Sequence, residues 1–161
     1  MLWQCVDGLA LTERQMAQAE RVLGEVVRRD AFQEAYGILT SFPGVALVTA
    51  ATVIGEIGDF QRFADAKAIG CYAGLNPRVY ASGGKQRIGH IAKTGSADLR
   101  WILQQAAWTA IRSDEYVRSI FLRIAKRSGR KPAAVAIARK LLTWMHRAVC
   151  KGEPYRTRLA A

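Results

Sequence analysis

Residues 76–95 restrict the fold of this chain more than any other stretch. Pro77, Gly83, Gly84, Gly89 and Gly95 crowd into it. Proline removes a backbone donor and glycine resists helical ordering, so no long helix passes through. Val79, Tyr80 and Ile88 flank Ser82-Gly83-Gly84-Lys85 as strands flank a hairpin turn. Elsewhere apolar residues recur at helical three-four spacing. The expected fold is all-α: a helical bundle interrupted by one small β-hairpin.

The helices can be placed from their ends. Thr12 and Gln15 read as a T-x-x-Q capping box, with Leu11 placed to staple against Met16, predicting a long helix from there to about Tyr36. Met16, Ala19, Leu23 and Val26 form its apolar seam, interrupted at Asp30; a helix–helix contact, a dimer arm or core packing would each use such a seam. A short helix should cover residues 64–72. Ser96 caps a helix to about Arg112, Asp114 starts another through about Arg127 before Gly129, and Pro132 opens the last. In that last helix Ala134, Ile137, Ala138, Leu141, Leu142, Met145, Ala148 and Val149 share one stripe, which leaves Arg139, Lys140, Thr143, His146 and Arg147 on the polar face. Trp101 and Trp108, seven apart, are read as core residues, with an interface anchor or a base-stacking role as alternatives.

Residues 35–55 carry no charge and are long enough to span a bilayer. Ser41, Phe42, Pro43 and Gly44 interrupt them, so two short buried helices are expected, not a membrane span. Cys5, Cys71 and Cys150 make no C-x-x-C pair, which fits a reducing cytoplasm better than a disulfide framework. No signal-peptide pattern opens the chain. His90 and His146 have no zinc-type spacing.

Charge is distributed unevenly. Residues 1–61 carry a net charge of −4 and residues 62–161 a net +15. A strongly basic region faces a polyanion, and nucleic acid is the first reading because cations that neutralise phosphates release counterions. A merely solvated surface or a membrane surface is the alternative. Candidate phosphate contacts on the late helices are Arg118, Arg123, Lys126, Arg127, Arg130 and Lys131.

Residues 38–58 resemble the helix-hairpin-helix motif, in which hairpin amides and the second helix's N-terminus hold a DNA phosphate. Pro43, Gly44, Val45, Thr49 and Ala50 fit the pattern. Ala46 replaces its second glycine, and Val48 stands where glycosylases with this motif carry a catalytic lysine, which argues against a glycosylase. Gly44, Val45 and Ala46 form either a phosphate clamp or a purely structural turn.

Ser82 precedes two glycines in a basic loop. Most such serines only stabilise a turn. A nucleophilic role would use Gly83 and Gly84 to admit a bulky phosphodiester, and Lys85, Arg87, Lys93 and Arg100 to offset charge on a pentavalent phosphate, with Arg78 a further candidate nucleic-acid contact. The serine would also need a base or metal ions, and neither histidine is adjacent in sequence.

Pro77-x-x-x-x-Ser82-Gly83-Gly84-Lys85, then Gly89, Lys93-Thr94-Gly95 and Leu99-Arg100, after a Pro-Gly hairpin and Tyr72-Ala73-Gly74-Leu75, resembles the serine-bearing C-terminal domain of insertion-sequence recombinases. In that family it follows a RuvC-like domain with an Asp-Glu-Asp-Asp tetrad; Piv-type invertases are relatives. The resemblance covers residues 38–112 well and the flanking helices more loosely. It implies a DNA recombinase in which Ser82 forms a covalent phosphoserine link, a noncoding guide (bridge) RNA that can choose sites, and homo-oligomers sharing composite active sites. It also implies Mg2+ held by the tetrad. Asp7, Glu13, Glu20, Glu25, Asp30 and Glu34 lie in the leading helical segment, so no tetrad is assigned to this chain and it is expected to be part of a longer enzyme. The expected organisation is an amphipathic arm or linker over residues 1–36, through which protomers associate, then a C-terminal transposase domain over 37–161. That domain holds the hairpin-type pair at 38–58, the serine loop at 76–95 and basic helices at 96–151. The competing readings are a non-enzymatic nucleic-acid-binding or oligomerisation module and a helical protein-interaction domain.

Overall fold

A computed structural model describes residues 2–82 and 85–156, with the side chains of residue 2 and of 79–88 excepted. Its elements are α1 (Leu2–Val27), α2 (Asp30–Thr40), α3 (Leu47–Ile57), a single 3-10 turn (Phe60–Arg62), α4 (Ala66–Tyr72), β1 (Pro77–Ser82), β2 (Lys85–Ile91), α5 (Ala97–Ser113), α6 (Glu115–Ser128) and α7 (Arg130–Lys151). The fold is mostly helical with one antiparallel strand pair, as the sequence implies. No helix among the described residues is long and apolar enough to cross a membrane.

Helices α5 and α7 make the centre. Helix α7 packs against α2, α4, α5, α6 and the 3-10 turn, and α5 also packs against α3 and α6. Small residues are what permit this crowding: Ala106, Ala107, Ala110, Ala133, Ala134 and Ala138 are all buried among Leu99, Leu103, Ile137, Leu141, Leu142 and Met145. Each large side chain removed from water there contributes about 1.5–3 kcal/mol. The caps read from sequence at Ser96 and Asp114 are present. Ser96 Oγ accepts from the Leu99 amide at 3.1 Å, and Asp114 Oδ1 accepts from Val117 at 2.9 Å.

The leading helix differs from its expected span. It begins at Leu2, stops at Val27, and Thr12 lies in mid-helix, its hydroxyl donating to the Gly8 carbonyl at 2.9 Å. A threonine satisfied by its own preceding turn has no need to cap, so the T-x-x-Q pattern carries no start signal here. Arg29 then takes an extended conformation (φ −67°, ψ 150°) and α2 begins anew at Asp30, whose carboxylate suits a helix N-terminus. No residue of α1 from position 3 to 22 is buried; only Gly24 and Val27 are.

Two further side chains depart from expectation. His146, placed on the polar face by periodicity, is buried, because the 3-10 turn covers that side of α7 and its Phe60 carbonyl accepts from His146 Nε2 at 3.1 Å. Trp108 meets Phe121 of α6 edge-on at 5.8 Å, whereas Trp101, two turns earlier, is 62% exposed and contributes no core.

Candidate functional site

The hairpin is antiparallel, with Ser82 opposite Lys85, Tyr80 opposite Arg87 and Val79 opposite Ile88, and a bulge shifts the register before Pro77 meets Ile91. Ser82 is therefore the last residue of β1 and Lys85 the first of β2. Gly83 and Gly84 lie outside the described residues.

What holds the hairpin is an interlock at its base. Gly74 (φ +67°) and Gly95 (φ +99°) face each other's neighbours: a Cβ on Gly74 would collide with the Thr94 carbonyl oxygen, and one on Gly95 with that of Tyr72. Glycine is required twice, for the left-handed backbone and for the approach. Lys93 donates its amide to the Gly74 carbonyl at 3.1 Å, and Ala92 donates to Asn76 at 2.8 Å. Arg100 Nη1 closes the joint on the carbonyls of Gly95 (2.9 Å) and Ala73 (3.4 Å), and Arg78 Nη2 reaches the Ala92 carbonyl at 3.0 Å. Both arginines, nominated as phosphate contacts, thus hold the hairpin's base. Lys93 is exposed, and its backbone (φ +54°) is left-handed although it is not glycine, a conformation that persists only where surrounding structure enforces it.

The Pro-Gly turn packs inward. Gly44 (φ +80°) lies against α5, where a Cβ would collide with the Ala106 carbonyl oxygen and come within 3.0 Å of the Thr109 Cβ. Val45 is buried and its amide donates to Phe42 at 3.1 Å. Ala46 is exposed in an ordinary extended conformation (φ −110°) and precedes α3 without a side-chain cap. The glycine missing from the hairpin motif is thus not needed for this backbone. Of the three turn residues nominated, Ala46 alone is exposed.

Exposed cations gather on α6 and the start of α7: Arg123, Lys126, Arg127, Arg130 and Lys131. Arg118 instead spans the α5–α6 corner, with Nε donating to Ile111 at 3.1 Å and Nη2 to Arg112. His146 Nδ1 is buried without a partner among the described residues, and Cys150 Sγ lies 3.6 Å from Nε2. Burial, then the Asp59 carboxylate, pushes the Cys150 thiol up, so this Cys–His pair holds a thiol, not a nucleophilic thiolate. Among the described residues no three His, Cys, Asp or Glu side chains gather as a metal site.

A basic helical bundle carrying one β-hairpin fixed at its base is the class these features define. The model of the IS116/IS110/IS902 transposase family matches residues 36–122, from α2 through the hairpin and α5 into α6. A Pseudomonas aeruginosa protein named "Probable family 20 transposase" is 31% identical over 144 residues, covering 87% of this chain and 42% of its own length. The transposase for insertion sequence element IS1111A of Coxiella burnetii is 31% identical, covering 72% of this chain and 33% of its own. The transposase for IS1328 of Yersinia enterocolitica is 31% identical over 62% of this chain and 30% of its own. The chain belongs to the IS116/IS110/IS902 transposase family. It spans between about a third and two-fifths of the length of these relatives.

Proposed function

We propose that this chain binds DNA and supplies the strand-joining serine of a transposase. The observation that carries this reading is the position of Ser82 at the end of β1, on a hairpin whose base is fixed by Gly74, Thr94 and Gly95. A fixed base ties the strand that ends in Ser82 to the helical bundle. In the proposed step Ser82 Oγ bonds to phosphorus as one phosphodiester P–O bond breaks, and the leaving DNA oxygen departs as a hydroxyl that takes up the proton the serine gives up. Lys85, Arg87 and Lys93 offset charge on the phosphoryl oxygens, and Gly83 and Gly84 admit the phosphodiester.

The Mg2+ that the family resemblance implies finds no holder among the described residues, and no step is assigned to it here. A RuvC-like carboxylate domain is its proposed holder, with a noncoding guide RNA selecting sites. The exposed seam of α1 supports self-association. Arg123, Lys126, Arg127, Arg130 and Lys131 are the proposed duplex-phosphate contacts, with the uncapped start of α3 at Ala46 as a further anion contact.

The test combines this domain with the carboxylate domain and cognate nucleic acids and looks for a covalent protein–DNA adduct. Ser82→Ala should abolish the adduct. An unchanged yield removes Ser82 as nucleophile and leaves the non-enzymatic binding or oligomerisation module as the reading.

A further inference from the structure

From residue 116 to residue 152 the chain carries ten Lys or Arg and no Asp or Glu. Lys140, Trp144, Arg147 and Lys151 follow one another on α7 at intervals of four, three and four residues, which places them in one sector of roughly 60° along about 16 Å of helix axis. Lys140, Arg147 and Lys151 are exposed and Trp144 is half-buried. The Trp144 ring stacks on Tyr116 of α6, with centroids 6.1 Å apart and planes 30° apart, and Lys140 Nζ stands 5.8 Å from its centroid. The nearest acidic residues along the chain, Glu115 and Glu153, lie before and after this stripe.

We propose that this outer face of α7 is a binding track for single-stranded nucleic acid. The strand's phosphates run along Lys140, Arg147 and Lys151, and one unpaired base stacks on Trp144 in the place Lys140 now occupies. A base and an ammonium both favour an aromatic π-face, and the flexible lysine side chain can swing aside to a phosphate. Tyr116 backs the indole and holds it fixed, which lowers the ordering cost of stacking. Lys140 and Arg147 with no carboxylate between them along α7 match a polyanion, and the Glu34 carboxylate of α2, which lies beside Gly152, bounds the track at its Lys151 end. This track begins at Lys140, nine residues along α7 from Lys131, the last of the cations assigned to duplex DNA. It rests on the nucleic-acid reading of the basic half and not on Ser82 chemistry.

The test measures binding of labelled single-stranded DNA, single-stranded RNA and duplex DNA of one sequence to the full chain. Trp144→Ala should weaken single-strand binding about tenfold while leaving duplex binding unchanged. The triple variant Lys140→Glu, Arg147→Glu, Lys151→Glu, altering exposed side chains only, should weaken single-strand binding further. The tighter of the DNA and RNA arms identifies the strand. A folded Trp144→Ala protein with wild-type single-strand affinity overturns the proposal. Should that variant fail to fold, unchanged single-strand affinity in the triple variant does so. The binding measurement is made without the carboxylate domain and so without strand joining, whereas the joining reading is tested by the covalent adduct, so the two readings fail on separate readouts.

Discussion

The α-carbon of Gly74 lies so close to the Thr94 carbonyl that no side chain fits between them. This contact joins the end of α4 to the segment entering α5 and so sets the angle at which the serine hairpin leaves the bundle. Gly74→Ala should therefore cost about 2–4 kcal/mol, combining a left-handed backbone penalty with a main-chain collision. Gly95→Ala, colliding with the Tyr72 carbonyl, should cost a similar amount. Chemical denaturation measures both, and wild-type stability in either variant would contradict the interlock.

Gly44 and Ala46 should separate structure from phosphate binding. Gly44→Ala pushes the turn off α5 and should lower the melting temperature clearly. Ala46→Gly touches an exposed residue of ordinary backbone and should change stability by no more than about 0.5 kcal/mol. Equal losses from the two would show that the turn is not wedged against α5.

The hairpin, the caps at Ser96 and Asp114 and the buried stripe of α7 are legible in the sequence, because each is encoded by neighbours within a few residues. The interlock is visible there only as glycines that break helices. Their partners, Tyr72 and Thr94, are distant in sequence, and no local rule links a glycine to a carbonyl twenty residues on. The burial of His146 is hidden for the same reason, since periodicity shows which side of α7 is polar and not that the Phe60 carbonyl will meet it there. Arg78 and Arg100 read as free cations because the carbonyls they bind come from backbone folding back on itself.

Helix α1 should not stay alone in solution. Its Leu9 and Met16 are exposed on the seam that continues to Leu23 and Val26, and helices in proteins take most of their stability from packing such a face. Sedimentation should show self-association of the wild-type chain. The Leu9→Glu, Met16→Glu double variant should be monomeric with the stability of the bundle retained. Cys5, four residues before Leu9 and exposed, should cross-link under oxidation in a parallel, in-register pair. A monomeric wild type would refute association through this arm.

Cys150 should make stability sensitive to alkali. Its folded thiol titrates above the ordinary thiol range, first through partial desolvation of an otherwise exposed residue and then through Asp59. The protonated form is thus favoured by the fold, so its contribution is complete below the ordinary thiol range and is lost as pH rises through the raised value. Denaturation across the neutral to alkaline range should show that loss, and Cys150→Ser, which does not titrate there, should reduce it. Thiol labelling at neutral pH should be slower at Cys150 than at Cys5. Equal alkaline loss in Cys150→Ser would assign the sensitivity elsewhere.

The cations of α6 and the α6–α7 turn should set the salt dependence of duplex binding. Arg123, Lys126, Arg127, Arg130 and Lys131 are exposed, and removing one cation from a phosphate should reduce the slope of log affinity against log salt by about 0.9. Arg118 is different, because its guanidinium is bound to the Ile111 and Arg112 carbonyls. Replacing Arg123 and Arg127 by alanine should flatten the slope by nearly two units with little change in stability. Arg118→Ala should leave the slope alone and loosen the α5–α6 corner, lowering stability by about 0.5–1.5 kcal/mol through the hydrogen bonds it loses. A slope unchanged in the double variant would move duplex binding to another face of the protein, and a slope reduced by Arg118→Ala would mean that this arginine exchanges its carbonyl partners for a phosphate when DNA binds.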